Sequence, residues 1–101
     1  MAYVGLDWDS ISSQEAQKRV SDIERQEGVR VMLYQTKHGY HAVLQYPCEV
    51  STEENIRLRK KYWDDEKRLS VGIMRYKTTG RIEDLDVLFT RKNGHLRRPL
   101  P

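Results

Sequence analysis

A helix-start signature occurs twice, as Ser12-x-x-Glu15 and Ser51-x-x-Glu54, and each copy follows a run in which apolar and polar residues alternate. A serine hydroxyl that accepts from a backbone N–H three residues on, with a glutamate reaching back, marks where extended chain gives way to helix. Between the first helix and the second signature lie two more alternating runs, joined by the short turn Lys37-His38-Gly39. The chain is thereby constrained to strand, helix, strand, strand, helix.

The runs define the faces. In Tyr3–Asp9, Val4, Leu6 and Trp8 point one way, and Tyr3, Gly5, Asp7 and Asp9 point the other. Ala16, Val20 and Ile23 recur at helical spacing, and Gly28 suits the left-handed residue that ends a helix. Val29, Val31 and Leu33 form the inner set of the second strand. Tyr40–Tyr46 returns as the third, with Ala42 and Leu44 inward, His41, Val43 and Gln45 opposite, and Pro47 ending it. The second helix, reaching Trp63, rests on its cap and its helix formers, because Ile56 and Trp63 share one side while Leu58 and Tyr62 lie nearly opposite.

Leu69, Val71 and Ile73 alternate as a fourth strand, and Asp86–Thr90 reads as a short extra one before the Asn93-Gly94 turn. With right-handed crossovers this order gives an α+β, ferredoxin-like or RRM-like βαββαβ domain with an additional C-terminal strand. Both helices cover one face of an antiparallel sheet, and the fourth strand lies beside the first. Residues 1–94 make a single domain and 95–101 a short basic tail. The other sheet face is left uncovered, and function is expected there.

Composition narrows the class. At 101 residues the core is modest, since a domain this size buries roughly 60–70% of the surface its unfolded chain exposes. A mean hydropathy of −0.81 is polar, yet the runs VRVMLY and DVLF exclude a disordered chain. No apolar stretch approaches the ~20 residues of a membrane span, and MAYVGLDWDS carries acid where a secretion signal carries base. A cytoplasmic protein without a membrane partner is expected. The single cysteine, Cys48, excludes an internal disulfide and a CxxC zinc ribbon. A net charge of +3 is compatible with a nucleic-acid partner.

Parity places Asp7, Asp9 and His41 on the uncovered face. Two carboxylates two residues apart on a strand lie about 7 Å apart and repel, unless a hard cation such as Mg²⁺ or Mn²⁺ relieves them. The same two residues also suit a strand end and a helix cap. Tyr3, Tyr34, His41 and Tyr76 offer planar groups for base stacking. Lys37, His38, Arg57, Arg59, Lys60, Lys61, Arg91 and Lys92 supply cations, with Arg97 and Arg98 in the tail. Taken alone, the helix run is equally a solvated face, since Glu53 and Glu54 partly balance it. Val43 and Met74 would suit burial of that face against a second copy.

Short motifs in order carry a resemblance. Val4-Gly5-Leu6-Asp7-Trp8-Asp9 resembles the hydrophobic-Asp-x-Asp motif of the archaeo-eukaryotic primase (primase–polymerase) superfamily. The stretch from Thr36 to Val43 is similar to its second motif, a glycine-aromatic-His turn onto a strand. The run from Asp64 to Val71 resembles the approach to its third, and Asp86–Phe89 with Lys92-Asn93-Gly94 resembles its closing strand. The resemblance implies nucleotidyl transfer on two divalent metals, with Asp7 and Asp9 as ligands, a third carboxylate, and His41 on the nucleotide phosphates.

The third position, counted by alternation, is Gly72, which cannot ligate, and Asp84 or Asp86 would replace it only if the loop folded back. The chain also has no room for the zinc element and partner lobe of larger members. The expectation is a small nucleic-acid-associated protein with a primase-like core, binding DNA or RNA, non-catalytic or accessory to DNA replication. The alternatives are a Mg²⁺- or Mn²⁺-dependent nucleotidyltransferase or primase using Asp7, Asp9 and His41, and a homodimeric interaction protein using the open face. Rolling-circle initiators resemble the same topology, but His38-Gly-Tyr-His41 departs from their His-x-His pattern.

Overall fold

Ser12 and Ser51 do start helices: their hydroxyls accept from the N–H groups of Glu15 and Glu54 at 3.0 and 3.1 Å. The two glutamate carboxylates turn instead to Arg19 and Arg57. The computed structural model describes residues 2–87 with their side chains and, in backbone alone, 91–92, 95–96 and 98–99. In chain order the elements are β1 (Ala2–Asp9), α1 (Ser13–Glu27), β2 (Arg30–Gln35), β3 (Gly39–Tyr46), α2 (Thr52–Lys61) and α3 (Glu66–Thr79). A single 3₁₀ turn follows at Ile82–Asp84. β1 and β2 both pair antiparallel with β3, so the order is β1-β3-β2. Beyond them, Arg91–Lys92 (β4) pairs with His95–Leu96 (β5), and Arg98–Pro99 (β6) lies beside β2. The result is a small α+β fold compatible with a ferredoxin-like one. Among the described residues no helix is long and apolar enough to cross a membrane.

The inward set follows the alternation. Val4, Leu6, Trp8, Ala42 and Leu44 are buried under Ala16 and Ile23 of α1 and Leu58 of α2. Each fully buried aliphatic side chain contributes about 1.5–3 kcal/mol, so this one face supplies most of the apolar stabilisation. Trp8 ties the layers together, because its indole N–H donates to the carbonyl of Tyr62 at 2.8 Å. The Tyr62 hydroxyl in turn donates to Glu27 at the end of α1. Burial and Glu27 push the phenols of Tyr46 and Tyr62 above the usual tyrosine range.

The expected fourth strand is a helix. Leu69, Val71 and Ile73 lie within α3, where Val71 is exposed and the interior positions are Leu69 and Gly72, with Ile73 and Tyr76 half-buried. Those four positions follow helical spacing. Asp65 starts the helix by accepting from the N–H groups of Lys67 and Arg68 at 2.8 and 3.1 Å. The expected pair of helices on one face therefore becomes three helices, and β1 becomes an edge. Of the extra strand expected over Asp86–Thr90, Asp86 and Val87 belong to no strand, and 88–90 lie outside the described residues, as does the Asn93-Gly94 turn.

Side chains take the place of that missing neighbour. The outward N–H groups of Gly5 and Asp7 donate to Asp86 Oδ2 and Asp64 Oδ1, both at 2.8 Å. Arg68 donates to the Gly5 carbonyl at 3.1 Å and to Asp64 Oδ2 at 2.7 Å, and it also pairs with Asp86. Arg59 reaches Asp64 Oδ2 from the other side at 2.7 Å, and Asn55 holds Asp86 at 2.9 Å. An edge strand left bare is a template for unwanted pairing. Here the exposed backbone groups are capped by an ionic network instead. This network also explains the untidy pattern of α2, whose inner stripe of Asn55, Leu58 and Arg59 is largely polar.

Candidate functional site

Asp7, His41 and Tyr34 form a row across the three strands, since Asp7 and Tyr34 are both cross-strand partners of His41. Partners in an antiparallel ladder share a face, so this row stands opposite the Leu6 and Ala42 side. The Nε2 of His41 lies 3.6 Å from Asp7 Oδ1, too long for a hydrogen bond but short enough for strong electrostatic coupling when the imidazole is protonated.

The face carrying this row is not open. Asp7 is 7% and His41 2% exposed, and Val43 is buried as well. α3 comes past the β1 edge, and a cavity of about 280 Å³ lies between it and the strand residues. Its lining includes Asp7, His41, Lys67, Arg68, Gly72 and Arg75. Thus Asp7, His41 and Gly72, drawn from three separate segments, meet at one cavity. Lys67, Val71 and Arg75 follow i, i+4, i+8 spacing and so share one helix face. The acidic lining is partly committed: Asp65 caps α3, while Asp84 pairs with Arg81 at 3.0 Å. The Thr79 hydroxyl, and after it Arg81, hold the Asp84 carboxyl below the usual carboxylate range.

Other expected contacts are distributed elsewhere. Arg59 is a correction: it is 0% exposed and spends its guanidinium on Asp64, Asn55 and the Leu85 carbonyl, so it offers nothing to a partner. His41 likewise faces the cavity rather than an open sheet. Tyr34 is half-buried beside it, while Lys37 and His38 are exposed on the β2–β3 turn. Arg57, Lys60 and Lys61 are exposed on α2, where Arg57 pairs with Glu54 and Lys61 with Glu27. None of these α2 cations lines the cavity. Arg91 and Lys92 belong to β4, and their side chains lie outside the described residues, as do those of Arg97 and Arg98. Val43 and Met74 do not share an exposed face, because Val43 is buried and Met74 projects from α3. Lys67, Arg68 and Arg75 were not singled out by the sequence. Their shared face becomes visible only when 66–79 is taken as helix.

The donor set bears directly on the implied metals. Two divalent ions would need Asp7, Asp9 and a third carboxylate converging. Asp7 faces the cavity, whereas Asp9 is exposed at the strand end and does not line it. At the third position, Gly72 lies against the Leu85 carbonyl with no space for a side chain. Among the described residues, no group of three or more His, Cys, Asp and Glu side chains is placed to hold a metal ion. These residues do not fit a two-metal centre. No family model, curated protein or solved structure matches the chain.

Proposed function

We propose that this chain is a nucleic-acid-associated protein with a degenerate primase-like core, in which a helix stands where the fourth strand was expected. Its role is accessory rather than catalytic. The observation carrying this reading is the convergence of Asp7, His41 and Gly72 on one cavity that Lys67, Arg68 and Arg75 also line. A phosphate entering there meets the exposed ends of Lys67 and Arg75, while Arg68 stays committed to Asp64 and Asp86. Such contacts give affinity without reading sequence.

Titration of single- and double-stranded oligonucleotides across salt concentrations tests this. Binding is expected to weaken steeply with salt. Replacing Lys67 and Arg75 by alanine is expected to weaken it for all sequences and to reduce the salt slope by about one for each phosphate left without its cation. Absence of binding at low salt removes the reading. Primer synthesis and extension with Mg²⁺ or Mn²⁺ are expected to be absent. Extension abolished by Asp7→Ala would restore the nucleotidyltransferase alternative.

A further inference from the structure

Three helices end on a residue in the left-handed region, and the choice of residue differs. α1 and α3 use Gly28 and Gly80, at φ +65° and +70°. After α2 the residue is Trp63, at φ +63°. Its position is marked by a closing bond in which Asp64 N–H donates to the Arg59 carbonyl, five residues back, at 3.0 Å. A bond of this span ordinarily follows a left-handed glycine. A bulky L-residue there is strained, and an observed strain of this kind points toward a use for the side chain.

The indole is placed for stacking. Trp63 is 52% exposed, although Trp8, the other tryptophan, is 1% exposed. The Arg19 guanidinium lies 4.7 Å from the Trp63 ring centroid and 5.2 Å from that of Trp8. Tyr62 packs edge-on against Trp63 at 6.3 Å. One side of the ring is therefore held rigidly against a cation while half of the residue stays open to solvent. Lys60, near the end of α2, is exposed, and its side chain makes no hydrogen bond or ion pair among the described residues. Of the acids beside these residues, Asp64 is buried against Arg59 and Arg68, Asp65 caps α3, and Glu15 pairs with Arg19.

We infer that Trp63, backed by Arg19, is a stacking platform for a base of single-stranded nucleic acid, separate from the cavity. An aromatic face accepts any base, and the cation behind the ring adds a cation–π contribution. Neither Trp63, Arg19 nor Lys60 lines the cavity. The inference rests on the reading of the chain as a nucleic-acid partner.

The two tryptophans make the test direct. Single-stranded oligothymidylate added to the full chain is expected to quench tryptophan emission, and with Trp8 buried the change reports on Trp63. Trp63→Gly, which places at this position the residue used at Gly28 and Gly80, is expected to keep a cooperative melt yet weaken binding by roughly tenfold or more, the loss of one stacked base. Trp63→Phe is expected to recover most of the affinity. Wild-type binding without any change in emission overturns the platform, as does a folded Trp63→Gly variant that binds as tightly as wild type. In both cases sensitivity to Lys67→Ala and Arg75→Ala leaves the cavity reading standing. No wild-type binding at low salt removes both.

Discussion

Asp64→Asn is expected to destabilise the fold by about 3–5 kcal/mol, the cost of breaking a buried ion pair and leaving a charge behind. Asp64 is fully buried together with Arg59, and its Oδ2 also receives Arg68, while its Oδ1 accepts the Asp7 N–H. The amide keeps the shape but loses the charge that both guanidiniums face. Arg59 has no route to water, and its Nη2 is already buried without a hydrogen-bond partner. Against a total stability of about 5–15 kcal/mol, the loss lowers the melting temperature by roughly 15 °C or more. Denaturant melts of the two proteins measure it.

The surface pair Arg81–Asp84 provides the contrast, and Asp84→Asn is expected to leave the melting temperature nearly unchanged. Replacing Arg59 and Asp64 together by Met and Leu is expected to recover part of the loss, because no buried Arg59 charge remains unpaired. Recovery stays incomplete, since the Asp7 N–H still lacks its acceptor. An Asp64→Asn variant within about 1 kcal/mol of wild type would mean that the network does not hold α3 to the strand edge.

That network also marks where the sequence stops being legible. β1, β2 and β3 were readable because apolar residues recur at every second position, so a period of two selects Val4, Leu6, Trp8, Ala42 and Leu44, although the packing also buries the other face of β1 and β3. Both serine caps were readable because a hydroxyl and a backbone N–H three residues on form a local bond. α3 was not, for a specific reason. Its apolar residues at 69, 71 and 73 satisfy a strand period, whereas the helical interior runs through Gly72, a residue with no side chain to count. α2 misled in the opposite sense, because its interior carries Asn55 and Arg59, which composition assigns to the surface. The site was legible in part: parity placed Asp7 and His41 together, whereas Gly72 was reached by alternation along a segment that is helix. The cations of the cavity depended on α3 being a helix, and the burial of the sheet face depended on long-range packing that no local spacing encodes.

Gly72 carries the second large effect, and its expected sign runs against helix propensity. Glycine inside a helix is about 1 kcal/mol worse than alanine, so Gly72→Ala on an isolated helix would stabilise. In this fold a Cβ at Gly72 falls well inside contact distance of the Leu85 carbonyl oxygen and 3.2 Å from its carbon. That carbonyl cannot retreat cheaply, because it accepts from Arg59 Nη1 at 2.9 Å and Leu85 is itself buried. Overpacking of this kind costs about 1–3 kcal/mol or more. Added to a displaced bond in the Arg59 network, it is expected to lower the melting temperature by roughly 10 °C. A Gly72→Ala variant as stable as wild type would show that α3 can move away from Leu85. The same geometry governs Gly72→Asp, the substitution that would place a carboxylate at position 72 beside Asp7 in the cavity. It is expected to destabilise at least as much as alanine, with no Mn²⁺ affinity and no primer extension. A folded Gly72→Asp protein that binds Mn²⁺ and extends a primer would instead support the nucleotidyltransferase alternative.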